Sequence, residues 1–208
     1  MATPTMAQFG NYQKAFDYFN RELFVGKLPQ CMLNLSRAAK VRGFYWPARW
    51  ENAGEKKEGE PTKLAEISLN PDELHRPAKL SMSTLVHEMA HHWQEIFGKP
   101  SRSGYHNLEW AHKMISLGLY PSSTGEPGGK MVGDKVTHYI VENGPYERAF
   151  NKIPQDILLP WSSFASEKPK QKKPSKNPYQ CPVCQSKVWG RPGMSIICGE
   201  CDEAMEQQ

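Results

Sequence analysis

The segment His87-Glu88-Met89-Ala90-His91 places three side chains capable of chemistry within one and a half helical turns. Residues four apart on an α-helix lie one above the other on the same face, so the two imidazoles can bind one divalent cation. Glu88 lies about 100° around the helix from His87 and can lean toward a water molecule at that cation. This spacing is typical of zinc peptidases.

The residues around this motif indicate a genuine helix. Apolar side chains recur every three or four positions beside the histidines, which is the pattern of an amphipathic helix. Ser81 and Ser83 are candidate N-caps, while Gly98 and Pro100 mark the end of the helix. These end signals disfavour the alternative interpretation, a core helix with incidental histidines.

A catalytic zinc site usually has three protein ligands and an open fourth position, so a third ligand is needed. The metzincin pattern is excluded because it requires glycine and histidine where the chain has Gln94 and Phe97. Four downstream side chains are candidates: His106, Glu109, His112 and His138. Fourteen residues separate His91 from His106, which leaves room for a turn and a return helix. Spacing alone therefore favours His106, with Glu109 as the next candidate.

The same chain resembles the SprT-like metalloproteases, the group that includes Spartan, over roughly residues 10–152. The residues that carry the resemblance are Tyr18-Phe19-Asn20, Leu23-Phe24, Gly26, Leu28, Pro29, the His-Glu-x-x-His motif, His106 and Trp110. The resemblance implies that His87, His91 and His106 bind a catalytic zinc and that Glu88 is the general base. The family often has glycine after the third histidine, where this chain has Asn107. Because asparagine tolerates unusual backbone angles, we expect little effect.

A second motif consists of two C-x-x-C pairs, Cys181/Cys184 and Cys198/Cys201, separated by thirteen residues. Four thiolates in this pattern suit one tetrahedral structural zinc in a small ribbon. Two disulfides are the alternative, but nothing else in the chain indicates an oxidising compartment. A ribbon of about 25 residues cannot build a core, so metal binding should supply its folding energy.

The positive charge of the chain is local. The segment 167–176 holds five lysines and one glutamate. Its own charge of +4 therefore accounts for the whole formal net charge of the chain. Because this stretch is rich in Lys and Pro without apolar periodicity, it predicts an extended linker that is either a phosphate-binding arm or a soluble spacer. We therefore expect a metalloprotease domain at 8–160, a basic linker at 161–178 and a zinc ribbon at 179–204.

The predicted fold class is α+β, a zincin-like SprT domain followed by the linker and the ribbon. An amphipathic helix ending near Gly26 should precede three strands at 31–35, 41–50 and 65–69. The active-site helix, a return helix at 107–119, a Gly-rich loop at 121–134 and a strand at 136–141 should follow. Cys31, outside the ribbon, is expected to be a small buried hydrophobe.

Two groups of aromatic and basic residues suggest ligands. Residues 42–50 include Arg42, Phe44, Tyr45, Trp46, Arg49 and Trp50, which form either a platform for unstacked bases, a wall of the substrate cleft or a half-buried strand. In the ribbon, Lys187 and Arg191 flank Trp189, which either stacks on a base or packs the ribbon. An edge strand beside the active-site helix would hold substrate through backbone hydrogen bonds, with weak sequence preference.

The predicted activity is zinc-dependent endopeptidase. Glu88 would take a proton from water and return it to the leaving amine, with Tyr105, His138 or Tyr139 as candidates for stabilising the oxyanion. The resemblance implies protein substrates bound or crosslinked to DNA, with DNA, single-stranded or at junctions, as recruiter and activator. The alternative is a DNA- or RNA-binding adaptor in which the zincin domain is a scaffold. We expect a monomer without a membrane segment, located in the cytoplasm or associated with the nucleoid.

Overall fold

The computed structural model of the 208-residue chain describes residues 2–38, 41–54, 63–163 and 176–208. The chain divides into two compact units, Met1–Phe164 and Ala165–Gln208. Most of the basic stretch expected to be a linker, residues 164–175, lies outside the described residues.

The first unit mixes helices and strands. Its helices within the described ranges are α1 (Pro4–Phe24), α2 (Ala78–Phe97), α3 (Leu108–Ser116) and α4 (Pro145–Asn151), with short 3-10 turns at Pro71–Glu73 and Gln155–Ile157. Its strands are β1 (Met32–Leu35), β2 (Gly43–Glu51), β3 (Lys63–Leu69), β4 (Leu119–Ser122) and β5 (Thr137–Ile140). None of the helices in the described part of the chain combines the length and apolar character needed to span a membrane.

Three strands form the main sheet in the order β1-β3-β2, with β1 parallel and β2 antiparallel to the central β3. The register of β2 shifts between Trp46 and Trp50, where Pro47 lacks a backbone N–H and Ala48 has a φ of +48°. Most of β2 is exposed, and among the described residues it is an edge strand. The prediction of a strand at this position is confirmed, but only Gly43, Phe44 and Tyr45 are partly buried, so it is less buried than expected.

Helix α1 packs its aromatic face into the core, as its periodicity predicts. Tyr12, Phe16 and Phe19 are fully buried, and the Tyr18 hydroxyl donates to the Ala149 carbonyl at 2.7 Å. The helix ends where Val25 enters the left-handed region at φ +57° and Gly26 follows. Cys31 is buried and its thiol is free, as expected.

Helix α2 begins earlier than the sequence signals indicate. Pro77 is its N-cap, so the prediction that Ser81 or Ser83 caps it is wrong; both serines lie inside the helix. The helix ends at Phe97, and Gly98 follows in an extended conformation with φ −125°. A Cβ atom at Gly98 would lie 2.5 Å from the Glu109 Oε2 atom, so close approach rather than backbone conformation requires glycine there.

The second unit is a small all-β module. Its strands are β6 (Asn177–Gln180), β7 (Lys187–Gly190), β8 (Ile197–Cys198), β9 (Glu203–Ala204) and β10 (Glu206–Gln207). Strands β10, β6 and β7 form one sheet and β8 pairs with β9. Tyr179, Met205 and two cysteines, Cys181 and Cys198, make up its small buried cluster. Trp189 is 64% exposed, so the interpretation that it packs the ribbon is wrong.

Candidate metal centre

Three histidine side chains converge on one point in the first unit. His87 and His91 project from adjacent turns of α2, and His106 lies just before α3. One ring nitrogen of each lies within 4.8 Å of the others, and the Nε2 atoms of His87 and His106 are 3.4 Å apart. Helix α2 thus supplies two ligand candidates through its own periodicity, while tertiary structure supplies the third.

The environment keeps these imidazoles neutral. Burial and the neighbouring His106 lower the pKa of His91 to about 3, and burial followed by the nearby histidines lowers that of His87 well below its ordinary value. Burial also lowers the pKa of His106. A neutral imidazole is the form that binds a metal, so the cluster is prepared for a cation.

Trp110 forms the base of the histidine cluster. Its ring lies 4.8 Å from His87, 5.0 Å from His91 and 4.3 Å from His106, measured between ring centroids. Trp110 is fully buried, and its Nε1 atom has no hydrogen-bond partner among the described residues. Packing against one rigid indole restricts the rotation of all three imidazoles.

The loop before β5 fixes the orientation of His106. The backbone of His106 forms an isolated antiparallel bridge with Gly133, with N···O distances of 2.9 and 3.0 Å. The His106 Nδ1 atom also lies 3.1 Å from the Gly133 carbonyl oxygen, which can only accept a hydrogen bond. This bond places the proton on Nδ1 and leaves Nε2 as the metal-binding nitrogen. The Gly-rich segment therefore holds a ligand candidate in place.

Asn107 departs from the family pattern without backbone strain. Its φ is −91°, and its side chain accepts a hydrogen bond from the Trp110 N–H at 3.0 Å as the N-cap of α3. The amide also accepts from Gln94 Nε2 at 2.7 Å. Asparagine is suited to this position because it caps a helix, not because it tolerates unusual backbone angles.

Glu88 is buried beside the edge strand β2. Only 5% of its surface is exposed, and burial raises the pKa of its carboxyl group to about 8. Its Oε1 atom lies 3.1 Å from the point where a Cβ atom would stand at Gly43, and the Ser68 carbonyl oxygen lies 3.0 Å from that point. Gly43 therefore leaves space for the carboxyl group. No sequence motif identified this glycine.

The other third-ligand candidates have different roles. Glu109 accepts from Gln94 Nε2 at 2.8 Å and from the Lys99 N–H at 2.6 Å, so it stabilises the end of α2. His112 is exposed on α3. The Nδ1 atom of His138 is 3.1 Å from the Nδ1 atom of His87, the nitrogen turned away from the cluster.

Of the candidates for stabilising the oxyanion, Tyr139 stacks on Tyr120, and Tyr105 is exposed.

The four ribbon cysteines form a second candidate metal site. All four thiols are free, their Sγ atoms lie within 4.8 Å of one another, and those of Cys184 and Cys198 are 3.6 Å apart. This is not the arrangement of two disulfides, whose sulfur atoms are about 2.05 Å apart. A hydrogen bond from Ser186 lowers the pKa of Cys184 to about 6, which favours the thiolate that binds metal.

Comparison with known proteins assigns the first unit. The sequence profile of the SprT-like family matches residues 12–124, slightly more than half of the chain. The chain belongs to the SprT-like family. An uncharacterized protein "in mucB 3'region" of Salmonella typhimurium is 37% identical over 41 residues, which are 20% of this chain and 55% of that protein. The chain therefore spans about half the length of that curated relative. No solved structure matches the chain.

The SprT-like match defines which features the family accounts for. It covers His87, Glu88, His91 and His106, and family membership suggests a metallopeptidase-type domain. It ends before Gly133, which holds His106, before His138 and before the ribbon. Both clusters fit zinc in ligand type, because imidazole nitrogen and thiolate sulfur are its preferred ligands in proteins.

Proposed function

We propose that this SprT-like protein is a zinc-dependent endopeptidase. The observation that carries the proposal is the convergence of the His87, His91 and His106 imidazoles, together with the buried carboxyl group of Glu88 on the helix that carries the first two. His87, His91 and His106 would hold the ion, and three protein ligands are the usual number at a catalytic zinc. When bound, zinc supplies a Lewis acid that polarises a peptide carbonyl and makes water more acidic.

Glu88 carries the proton transfers in this proposal. Its carboxylate takes a proton from water as the water oxygen adds to the peptide carbonyl carbon. It then donates that proton to the amine nitrogen as the carbon–nitrogen bond breaks. Burial raises the pKa of Glu88. A divalent cation held by the three histidines would lower that pKa, so the two effects would oppose each other and keep the pKa in a range where the group can both accept and donate a proton.

Strand β2 is the proposed docking edge for substrate. It is the edge strand that approaches the metal centre, because Gly43 adjoins Glu88 and the Tyr45 ring stacks 6.5 Å from that of His91. An extended peptide can add to such an edge through backbone hydrogen bonds, with little dependence on its side chains. The missing N–H of Pro47 and the register shift after Trp46 limit regular pairing to the segment from Gly43 to Trp46.

We further propose that the protein substrates are bound or crosslinked to DNA, single-stranded or at junctions, and that the ribbon with its own zinc contributes the nucleic-acid contact. Trp189 is 64% exposed, and Lys187 and Arg191 are exposed beside it in sequence. An exposed aromatic side chain between two cations suits base stacking combined with phosphate contacts. On β2, Arg49 stacks over the exposed Trp46 ring at 4.3 Å, which offers a second surface of the same chemistry.

The test is cleavage of casein by the full zinc-loaded chain, with and without single-stranded DNA. Glu88→Gln is the matched variant because it keeps size and hydrogen-bonding capacity but cannot shuttle a proton. We expect cleavage by the wild-type chain, stimulation by DNA, and a loss of about 100- to 10,000-fold in the variant. DNA binding without cleavage by either protein would instead favour the nucleic-acid adaptor.

A further inference from the structure

A fourth histidine, His138 on β5, contacts the ligand candidate His87 on the side that faces away from the histidine cluster. Its Nδ1 atom lies 3.1 Å from the Nδ1 atom of His87, and its Nε2 atom lies 2.9 Å from the hydroxyl oxygen of Ser83. The Ser83 hydroxyl lies 2.9 Å from the Leu80 carbonyl oxygen. A continuous chain of three hydrogen bonds therefore runs from the α2 backbone to a ligand candidate.

The carbonyl end of this chain gives it a direction. A carbonyl oxygen can only accept, so the Ser83 hydroxyl donates to Leu80 and accepts from His138 Nε2–H. A neutral imidazole with its proton on Nε2 has a lone pair on Nδ1. His138 Nδ1 then accepts from His87 Nδ1–H, which leaves the lone pair of His87 on Nε2, the nitrogen that faces His106.

The metal end requires the same direction. If Nε2 of His87 binds a cation, its remaining proton must lie on Nδ1, and that N–H needs an acceptor. The reverse chain, in which Ser83 donates to His138, would place a proton on His87 Nε2 and block metal binding. Both ends therefore require the same arrangement of protons.

We propose that Ser83 and His138 form a positioning relay that fixes the tautomer and ring orientation of His87 for metal binding. This inference rests on the proposed zinc site. His138 is a positioning residue: it acts through His87 and does not itself bind the ion. Gly133 does the same for His106 through a carbonyl oxygen, so two of the three ligand candidates have their outer nitrogen hydrogen-bonded.

The first test reads the protons directly. Long-range ¹⁵N–¹H spectra of the full chain distinguish Nδ1–H from Nε2–H tautomers of each histidine, before and after one zinc equivalent per site is added. We expect zinc to perturb His87, His91 and His106, with Nδ1–H on His87 and Nε2–H on His138. A zinc response with the proton on His138 Nδ1 overturns the relay alone, whereas no response at the three histidines overturns the zinc site and the relay together.

The second test uses a matched pair of variants. In His138→Asn, the amide oxygen takes the place of Nδ1 and can still accept from His87, while His138→Leu has similar bulk and no acceptor. Release of zinc by a chelator, followed on the ring signals of His91 and His106, measures this site without interference from the ribbon. We expect about 10- to 100-fold weaker zinc binding for the leucine variant and near wild-type binding for the asparagine variant.

Equal zinc affinity in the two variants would refute the relay, because packing alone would then explain the position of His138. Ser83→Ala adds a readout that packing cannot move. Without the hydroxyl acceptor, His138 in the zinc-free chain should populate the Nδ1–H tautomer, and its ¹⁵N shifts should move accordingly. Should the leucine variant fail to fold, the wild-type tautomers and the asparagine and alanine variants still decide the question.

Discussion

Replacing Glu88 with glutamine should stabilise the metal-free protein at high pH while it abolishes activity. Burial raises the pKa of the Glu88 carboxyl group in the folded chain to about 8, from its ordinary value of 4.5. Between those pH values the folded state keeps a proton that the unfolded state has released, so the free energy of unfolding falls as pH rises. The loss is about 1.4 kcal/mol per pH unit, and therefore up to about 4 kcal/mol near pH 8.

The assay is urea unfolding of both proteins after zinc removal, at pH 5 and pH 8. The glutamine variant should exceed the wild type by about 1 kcal/mol or less at pH 5 and by several kcal/mol at pH 8. The histidines contribute in the opposite sense: their lowered pKa values mean that stability falls as pH drops below about 6.5. Both proteins share that effect and the ribbon, so these contributions cancel in the difference.

A stability difference that does not change with pH would refute the reasoning, because it would mean that Glu88 titrates alike in the folded and unfolded chains. Restoring zinc is a second check. A divalent cation stabilises the carboxylate, so the difference between the two proteins at pH 8 should shrink in the zinc-loaded state.

Mass spectrometry should find about two zinc equivalents per chain, falling to one when Cys181 and Cys184 are both replaced by serine. Gly43→Ala should lower casein cleavage at least tenfold, since its Cβ would stand 3.1 Å from the Glu88 Oε1 atom, while Gly10→Ala, at a position with free space, should leave cleavage unchanged. Trp110→Ala should cost about 3–5 kcal/mol in urea unfolding and weaken zinc retention, because it removes the fully buried ring that supports all three histidines.

The sequence was most informative where local periodicity decides the geometry. The spacing of His87 and His91 fixes their common helical face in any helix, and the C-x-x-C spacing brings the ribbon thiols into one cluster. Spacing favoured His106 over the other three candidates, and the family resemblance strengthened that choice. The structure gives the physical reason: the backbone bridge to Gly133, 27 residues later, holds it, and no local pattern reports such a contact.

Residues with roles outside the reacting groups were the hardest to predict. Gly43 is needed because a distant helix brings Glu88 against its backbone, and Gly98 because Glu109 approaches from α3. Ser83 was interpreted as a cap because serine is common at helix N-termini, but the N-cap is Pro77, six residues earlier. The two glycines are therefore required by tertiary contacts that no local sequence pattern reports.

Ser83 is not a helix cap but lies on the same face of α2 as the two histidines. Ser83, His87 and His91 are spaced four residues apart, so one face of α2 carries a hydroxyl, a ligand candidate and a second ligand candidate in consecutive turns. A hydroxyl inside a helix can donate to a carbonyl oxygen of the preceding turn. The Ser83 hydroxyl donates in this way to Leu80, so its lone pair can accept a hydrogen bond from His138. One face of α2 therefore carries two of the three ligand candidates and the hydroxyl that orients the hydrogen bond from His138 on β5.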